Sequence, residues 1–293
     1  MQSNNPVFRR SAEFNSPGAN PYGNQTQAGN GAVQQGYGQV PMGDPSSWGT
    51  GTPGGHDLDS RTEAPMTIDS VVQKTGISLA VVIVFAMATW VLTGDITATE
   101  IPPALITAVT LGSLGAFALS MVNSFKRVIS PPLVLLFCAA EGVALGALSK
   151  LFDSMFSTDG NNIVMQAVIG TFAAFAGTLA AYKFFDIKVG NKFRMFVIGA
   201  VLGMVALSLM EFVLGFFDAQ FGFFGFGGLG MVFAIVGLVL GVFMLILDFD
   251  FVEKGVANRI PESESWRAAF AMTVSLVWIY TNLLRLLAIF SSD

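Results

Sequence analysis

One cysteine and one histidine in 293 residues remove much catalytic chemistry before any motif is read. With Cys138 alone there is no disulfide framework and no cysteine-clustered metal site. The single His56 lies in a polar N-terminal stretch. Zinc or iron centres built from His and Cys are therefore excluded, and so is a Ser-His-Asp triad within the apolar part. Charge is scarce too: 12% of residues are charged, against about 25% in soluble domains. The hydrophobic share is 53% and the mean hydropathy +0.62. This is the composition of a membrane protein. The net charge of −5 says little, because in such a chain the placement of Lys and Arg matters more than their sum.

Residues 1–65 form a different polymer from the rest. From Asn15 to Gly55 the chain is rich in Gly, Gln, Asn, Pro and Ser, with scattered Tyr22 and Tyr37 and no apolar period. Such a segment cannot bury enough surface to offset its ordering entropy, so a disordered tail is expected. No apolar run follows Arg9-Arg10, so no signal peptide is expected there. Residues 66–293 are expected to form one transmembrane domain.

A helix needs about 20 apolar residues to cross the hydrocarbon core. Seven stretches qualify: Ile77–Leu92 (somewhat short), Ala104–Val122, Pro132–Leu148, Ile163–Ala181, Phe196–Phe217, Gly228–Leu247 and Ala268–Phe290. Pro102-Pro103 and Pro131-Pro132 suit helix starts. Alternate connections carry the bases. Arg61 and Lys74, then Lys126-Arg127, then Lys183, Lys188, Lys192 and Arg194, then Lys254, Arg259 and Arg267 fall on one side. The other side holds Asp95, Glu100, Lys150, Asp153, Asp159 and Asp218. By the positive-inside rule the N-terminus is cytoplasmic and the C-terminus outside.

Three pairs, Gly142/Gly146, Gly199/Gly203 and Gly237/Gly241, have the small-xxx-small spacing that lets helices approach closely in lipid. They predict close packing of their three helices. The aromatic run Phe221-Gly-Phe-Phe-Gly-Phe-Gly-Gly228 is expected in the headgroup region. It holds no Lys and follows no strand, so it does not cradle phosphate.

The spans contain few ionisable groups: Glu141, Glu211, Asp248 and Arg285, with Lys150 and Asp250 at ends. An acid at the bilayer centre costs roughly 2.5–3.5 kcal/mol and so marks a candidate site. Asp248 and Asp250 close the sixth span, and Asp250 is spaced for an i,i+4 pair with Lys254. Two apart on a helix, the two acids point to nearly opposite sides, which rules out an aspartyl-protease pair. Glu141 lies near mid-depth of the third span and shares a face with Cys138 and Leu145. Glu211 and Arg285 lie toward the outer ends of their spans, to pair with each other or for Arg285 to snorkel. No nucleophile stands with a base, so no enzyme is expected. Acids facing a water-lined cavity mark cation or proton pathways. Low dielectric disfavours the charged form of a carboxylate, which makes such an acid a proton switch for a pore.

Several stretches together resemble the transmembrane Bax inhibitor motif family, in its bacterial YccA-like branch. They are Ile246-Leu-Asp-Phe-Asp250, Pro132 followed by Phe137, Glu141-Gly142 and Leu145-Gly146, and Thr273-Val-Ser-Leu276 with Asn282-Leu-Leu-Arg285. Asn5-Pro-Val-Phe-Arg-Arg10 resembles the opening of actinobacterial members. The resemblance implies an all-α bundle of seven transmembrane helices with the last helix central, in a bacterial inner membrane. It implies a pH-sensitive calcium leak through an acid pair on the last two helices, with Asp248 matching one acid and Asn282 falling at the other. Asn can coordinate a cation but cannot share a proton. Other members bind and modulate a membrane protease, a second reading with a different partner. A hairpin turning near Arg259-Ile-Pro261 sets Asp248 opposite Ala271 or Met272 rather than Asn282. The expected pathway residues are thus Asp248, Glu141, Asn282 and Asp250. The expected partners are the bilayer and Ca²⁺ or H⁺, with no cofactor and no nucleic acid.

Overall fold

The computed structural model describes residues 64–292, apart from 97–100, 158–161, 186, 218 and 220. The tail expected over residues 1–65 lies outside the described residues except at its last two positions. So do Arg61, Glu100, Asp159 and Asp218. The described residues form seven α-helices: α1 (Ile68–Leu92), α2 (Pro103–Phe125), α3 (Pro131–Phe156), α4 (Ile163–Phe184), α5 (Asn191–Gly215), α6 (Gly228–Ala257) and α7 (Glu264–Ser292). Each is long and apolar enough to cross a membrane.

Local chemistry sets the helix ends. Thr67 and Ser70 form a reciprocal capping box, each side-chain oxygen accepting from the other's backbone N–H. Helix α1 therefore begins well before Ile77, and the first span is not short. Prolines open α2 and α3, where a missing N–H leaves nothing unsatisfied. Asn162 caps α4 by accepting from the Met165 N–H at 2.8 Å. The far end of α1 is closed by a base. Lys150, expected in a connection, lies within α3, is buried, and donates to the carbonyls of Trp90 and Gly94. A cation there also suits the negative end of the helix dipole.

Helix α7 runs through the middle, packed directly on α1, α3, α4 and α6. It is the least hydrophobic helix and among the most buried. That inversion follows from its place: its polar side chains meet other helices rather than lipid. Helix α2 lies outside on α3, and α5 outside on α6. The glycine pairs divide accordingly. A Cβ on Gly142 would stand 2.5 Å from the Val82 carbonyl, and one on Gly146 would strike Ala86, so α3 sits hard against α1. Gly237 and Gly241 accommodate Asn282, Trp278 and Ile279 of α7. Gly199 and Gly203 meet nothing within 4 Å, so the close packing expected of that pair is not found.

The α6–α7 connection carries structure of its own. The α6–α7 turn passes through Arg259 with φ 50°, as expected near Arg259-Ile-Pro261. It is tied back to the start of the domain, where the Met66 N–H donates to Ile260 and the Glu262 N–H to Ala64, both at 2.8 Å. Lys74 adds an ion pair with Glu262 at 3.0 Å.

Candidate functional site: carboxylates inside the bundle

Asp248 and Asp250 diverge around α6, as their spacing requires. Asp250 turns to α5. Its carboxylate is buried and joins Arg194 at 2.9 Å and Lys254 at 2.7 Å. The i,i+4 pair with Lys254 is present, but it is half of a bridge that pins the start of α5 to α6. Asp250 is a doubly neutralised brace.

Asp248 turns to α7, where the Ser275 hydroxyl donates to its Oδ2 at 2.6 Å. No base pairs with it among the described residues. Its helix neighbours Leu245 and Phe249 belong to a core cluster with Met272, Leu276 and Ile279 of α7. The span count sets Asp248 at a helix exit, yet α6 continues to Ala257. Ser275 lies eleven residues into α7, roughly 16 Å along that helix by its rise. Asp248 thus sits well inside the bundle.

Asn282 is elsewhere. Its amide donates to the Trp278 carbonyl at 2.8 Å, and its Oδ1 occupies the space a Gly237 side chain would take. The structure does not bring Asp248 and Asn282 together. The α7 residue facing Asp248 is Ser275, one turn from the Ala271–Met272 position expected from a simple hairpin. Ser275 lies inside the Thr273–Leu276 motif, so its chemistry was visible in the sequence while its register was not.

Glu141 is half-buried, between Cys138 and Leu145 of a second cluster that includes Phe270. Phe137 stacks edge-on against Phe270 at 5.0 Å, and Ser149 bonds Tyr280 at 2.6 Å. Those contacts set α3 and α7 parallel and put Glu141 near the level of Thr273–Val274. Glu141 and Asp248 therefore lie at similar depth, on different faces of α7. No hydrogen bond joins them among the described residues. Two cavities, of about 360 and 550 Å³, have almost wholly apolar linings that include neither acid.

At the Trp90 end a third arrangement appears. Glu211 and Arg285, both buried, do not form an ion pair with each other. Each holds the same loop. Glu211 accepts from the N–H groups of Phe221 (3.1 Å), Gly222 (2.9 Å) and Phe223 (3.1 Å). Arg285 donates through Nη2 to the carbonyls of Phe223, Gly225 (3.5 Å) and Gly230 (3.1 Å). The guanidinium also lies over the Phe224 and Phe233 rings.

The geometry is that of a helical membrane bundle with isolated acids around a polar central helix. A search of curated proteins finds no match to the chain. The model of the family described as Bax inhibitor 1 like matches residues 5–292. The chain, nearly end to end, belongs to the Bax inhibitor 1 like family.

Proposed function

We propose that this protein is a pH-sensitive cation leak of a bacterial inner membrane, for Ca²⁺ or H⁺, with Asp248 as its gate. The observation that carries this reading is the setting of Asp248: a carboxylate inside the bundle with a hydroxyl for company and, among the described residues, no base against it. An acid among membrane helices is costly unless water, a proton or a cation attends it. Exchange between proton and cation at Oδ2 would change both the charge and the Ser275 contact, and so the α6–α7 packing. Glu141 supplies a second acid at similar depth on another face of α7. Asn282 lines the α6–α7 seam farther along. Asp250 holds the frame. The loop charges favour a cytoplasmic N-terminus, which puts the Lys74 end inside. The reading requires no cofactor and no enzymatic step.

The test is flux from reconstituted vesicles loaded with a Ca²⁺ dye, measured across a pH series. The parent protein should leak in a pH-dependent way, and Asp248→Asn should lose that dependence. Equal, equally pH-dependent flux from both would remove Asp248 from the mechanism.

The bridge between residues 64–66 and 260–262 favours a second reading. It anchors the chain that follows the tail to the α6–α7 turn, so a protease or stress-response partner gripping the tail could act on the bundle without transport.

A further inference from the structure

The side of α7 that faces α6 carries hydrogen-bonding side chains at helical spacing: Ser275, Trp278, Asn282 and Arg285. Every one of them meets α6. Ser275 holds Asp248, the Trp278 indole N–H donates to the Gly237 carbonyl at 2.9 Å, Asn282 fills the space beside Gly237, and Arg285 reaches the Gly230 carbonyl. Ten residues separate Ser275 from Arg285, roughly 15 Å of helix. Hydrogen-bonding side chains thus recur along the α6–α7 seam from Asp248 to the Trp90 end of the bundle, between the apolar contacts of Leu245, Leu276 and Ile279.

Residues 221–227 cross that end. The loop binds Glu211 of α5 and Arg285 of α7 through its backbone. Phe223 stacks on Phe233 of α6 at 5.3 Å, while Phe226 reaches Phe156 of α3 at 4.8 Å. Four helices are joined by one short segment. Gly222, at φ 84°, turns the loop back, and Gly230 leaves room for the Gly225 carbonyl to approach α6. Negative charge takes the amides and positive charge takes the carbonyls, so the backbone dipoles of the loop are aligned between two buried, opposite charges. The grip on the Arg285 side is made by Nη2 alone, and its buried Nε has no partner among the described residues.

We propose that the 221–227 loop is a strap that stops the α6–α7 seam, held by Glu211 and Arg285, and that cations leave by this seam when the strap lifts. Closed, it blocks by bulk and presents a fixed guanidinium, a barrier to cations. The strap itself stands on geometry; the route it closes rests on the leak reading above.

The full chain, with Cys138→Ala as a thiol-free background, is reconstituted in phospholipid vesicles and treated with a sulfonated maleimide on each side in turn. N282C reports on the seam, and V239C, at similar depth on the lipid-facing side of α6, is the control. N282C should react slowly with the strap intact. Adding E211Q should speed it roughly tenfold, as expected when charge-assisted bonds to backbone amides are lost, while V239C stays inert. An N282C rate that is already fast, or that E211Q leaves unchanged, overturns the proposal. Should V239C also react in the E211Q protein, the bundle has loosened as a whole. The comparison is then made with F226A, which frees the loop from α3 and leaves both charges, and an unchanged N282C rate there overturns the strap. Dye flux separates the two readings. Faster labelling without any cation flux keeps the strap and removes the leak. Flux that depends on Asp248, with labelling indifferent to E211Q, does the reverse.

Discussion

Under the leak reading, Ser275 is the residue on which the chemistry of Asp248 turns. It offers Asp248 one hydroxyl, which donates a hydrogen bond but carries no charge and exchanges no proton in the physiological range. A second acid at this position would have to share a proton with Asp248, since like charges that close cannot both be comfortable in low dielectric. Ser275→Asp should therefore turn a single-step pH profile of vesicle flux into two coupled steps, while Asn282→Asp should leave the profile as it is. A profile altered only by the Asn282 change would mean that the gate lies farther along α7 than Asp248. Glycine is decisive at a comparable scale. Gly146→Val drives a side chain into the Ala86 backbone, whereas Gly203→Val enters open space. Overpacking costs about 1–3 kcal/mol where neighbours can shift, and backbone shifts less readily than a side-chain tip. Thermal unfolding in detergent should show a marked loss for Gly146→Val and almost none for Gly203→Val.

At the scale of the element, local caps are supplemented by side chains that reach across from other helices. Lys150 of α3 closes α1, and Arg194 at the start of α5 holds Asp250 of α6. Lys150→Met would leave the Trp90 and Gly94 carbonyls without their charged donor, a loss of about 1.5–3 kcal/mol for bonds of this kind. The midpoint of unfolding should fall by several degrees, since each kcal/mol is worth roughly 2–4 °C in a domain of this size. Hydrogen exchange should rise at Trp90–Gly94 first. An unchanged midpoint would mean that water replaces the lysine at no cost. These crossed caps were not readable from the sequence. Lys150 has the composition of a connection residue, and only the length of α3 brings it inside.

For the whole molecule, the informative contact is the short bridge between residues 64–66 and 260–262, reinforced by Lys74 and Glu262. It fastens the chain at residues 64–66 to the turn between α6 and α7, the helices that carry Asp248 and Ser275. Deleting residues 1–60 leaves that bridge in place. Under the leak reading, vesicle flux should be unchanged by the deletion, and so should any cellular phenotype that follows from flux. If the phenotype disappears while flux persists, the tail is the working part and the protein acts through a partner.

Composition and the spacing of charge were enough to predict a seven-helix membrane bundle, because the bilayer leaves the chain few choices: backbone polar groups must be satisfied within each span, and span length is set by hydrocarbon thickness. The opposed directions of Asp248 and Asp250 followed from helical geometry alone. Proline and the Arg259–Pro261 turn marked where helices begin and reverse. What packing alone decided was register and partnership. Ser275 rather than Asn282 faces Asp248, Asp250 is a brace, and Glu211 and Arg285 hold a loop instead of each other. A slip of one turn along a helix is invisible in local sequence, yet it exchanges every partner across the interface. Which helices touch, and at what height, depends on where a missing Cβ lets two backbones meet, and that is a property of the folded bundle.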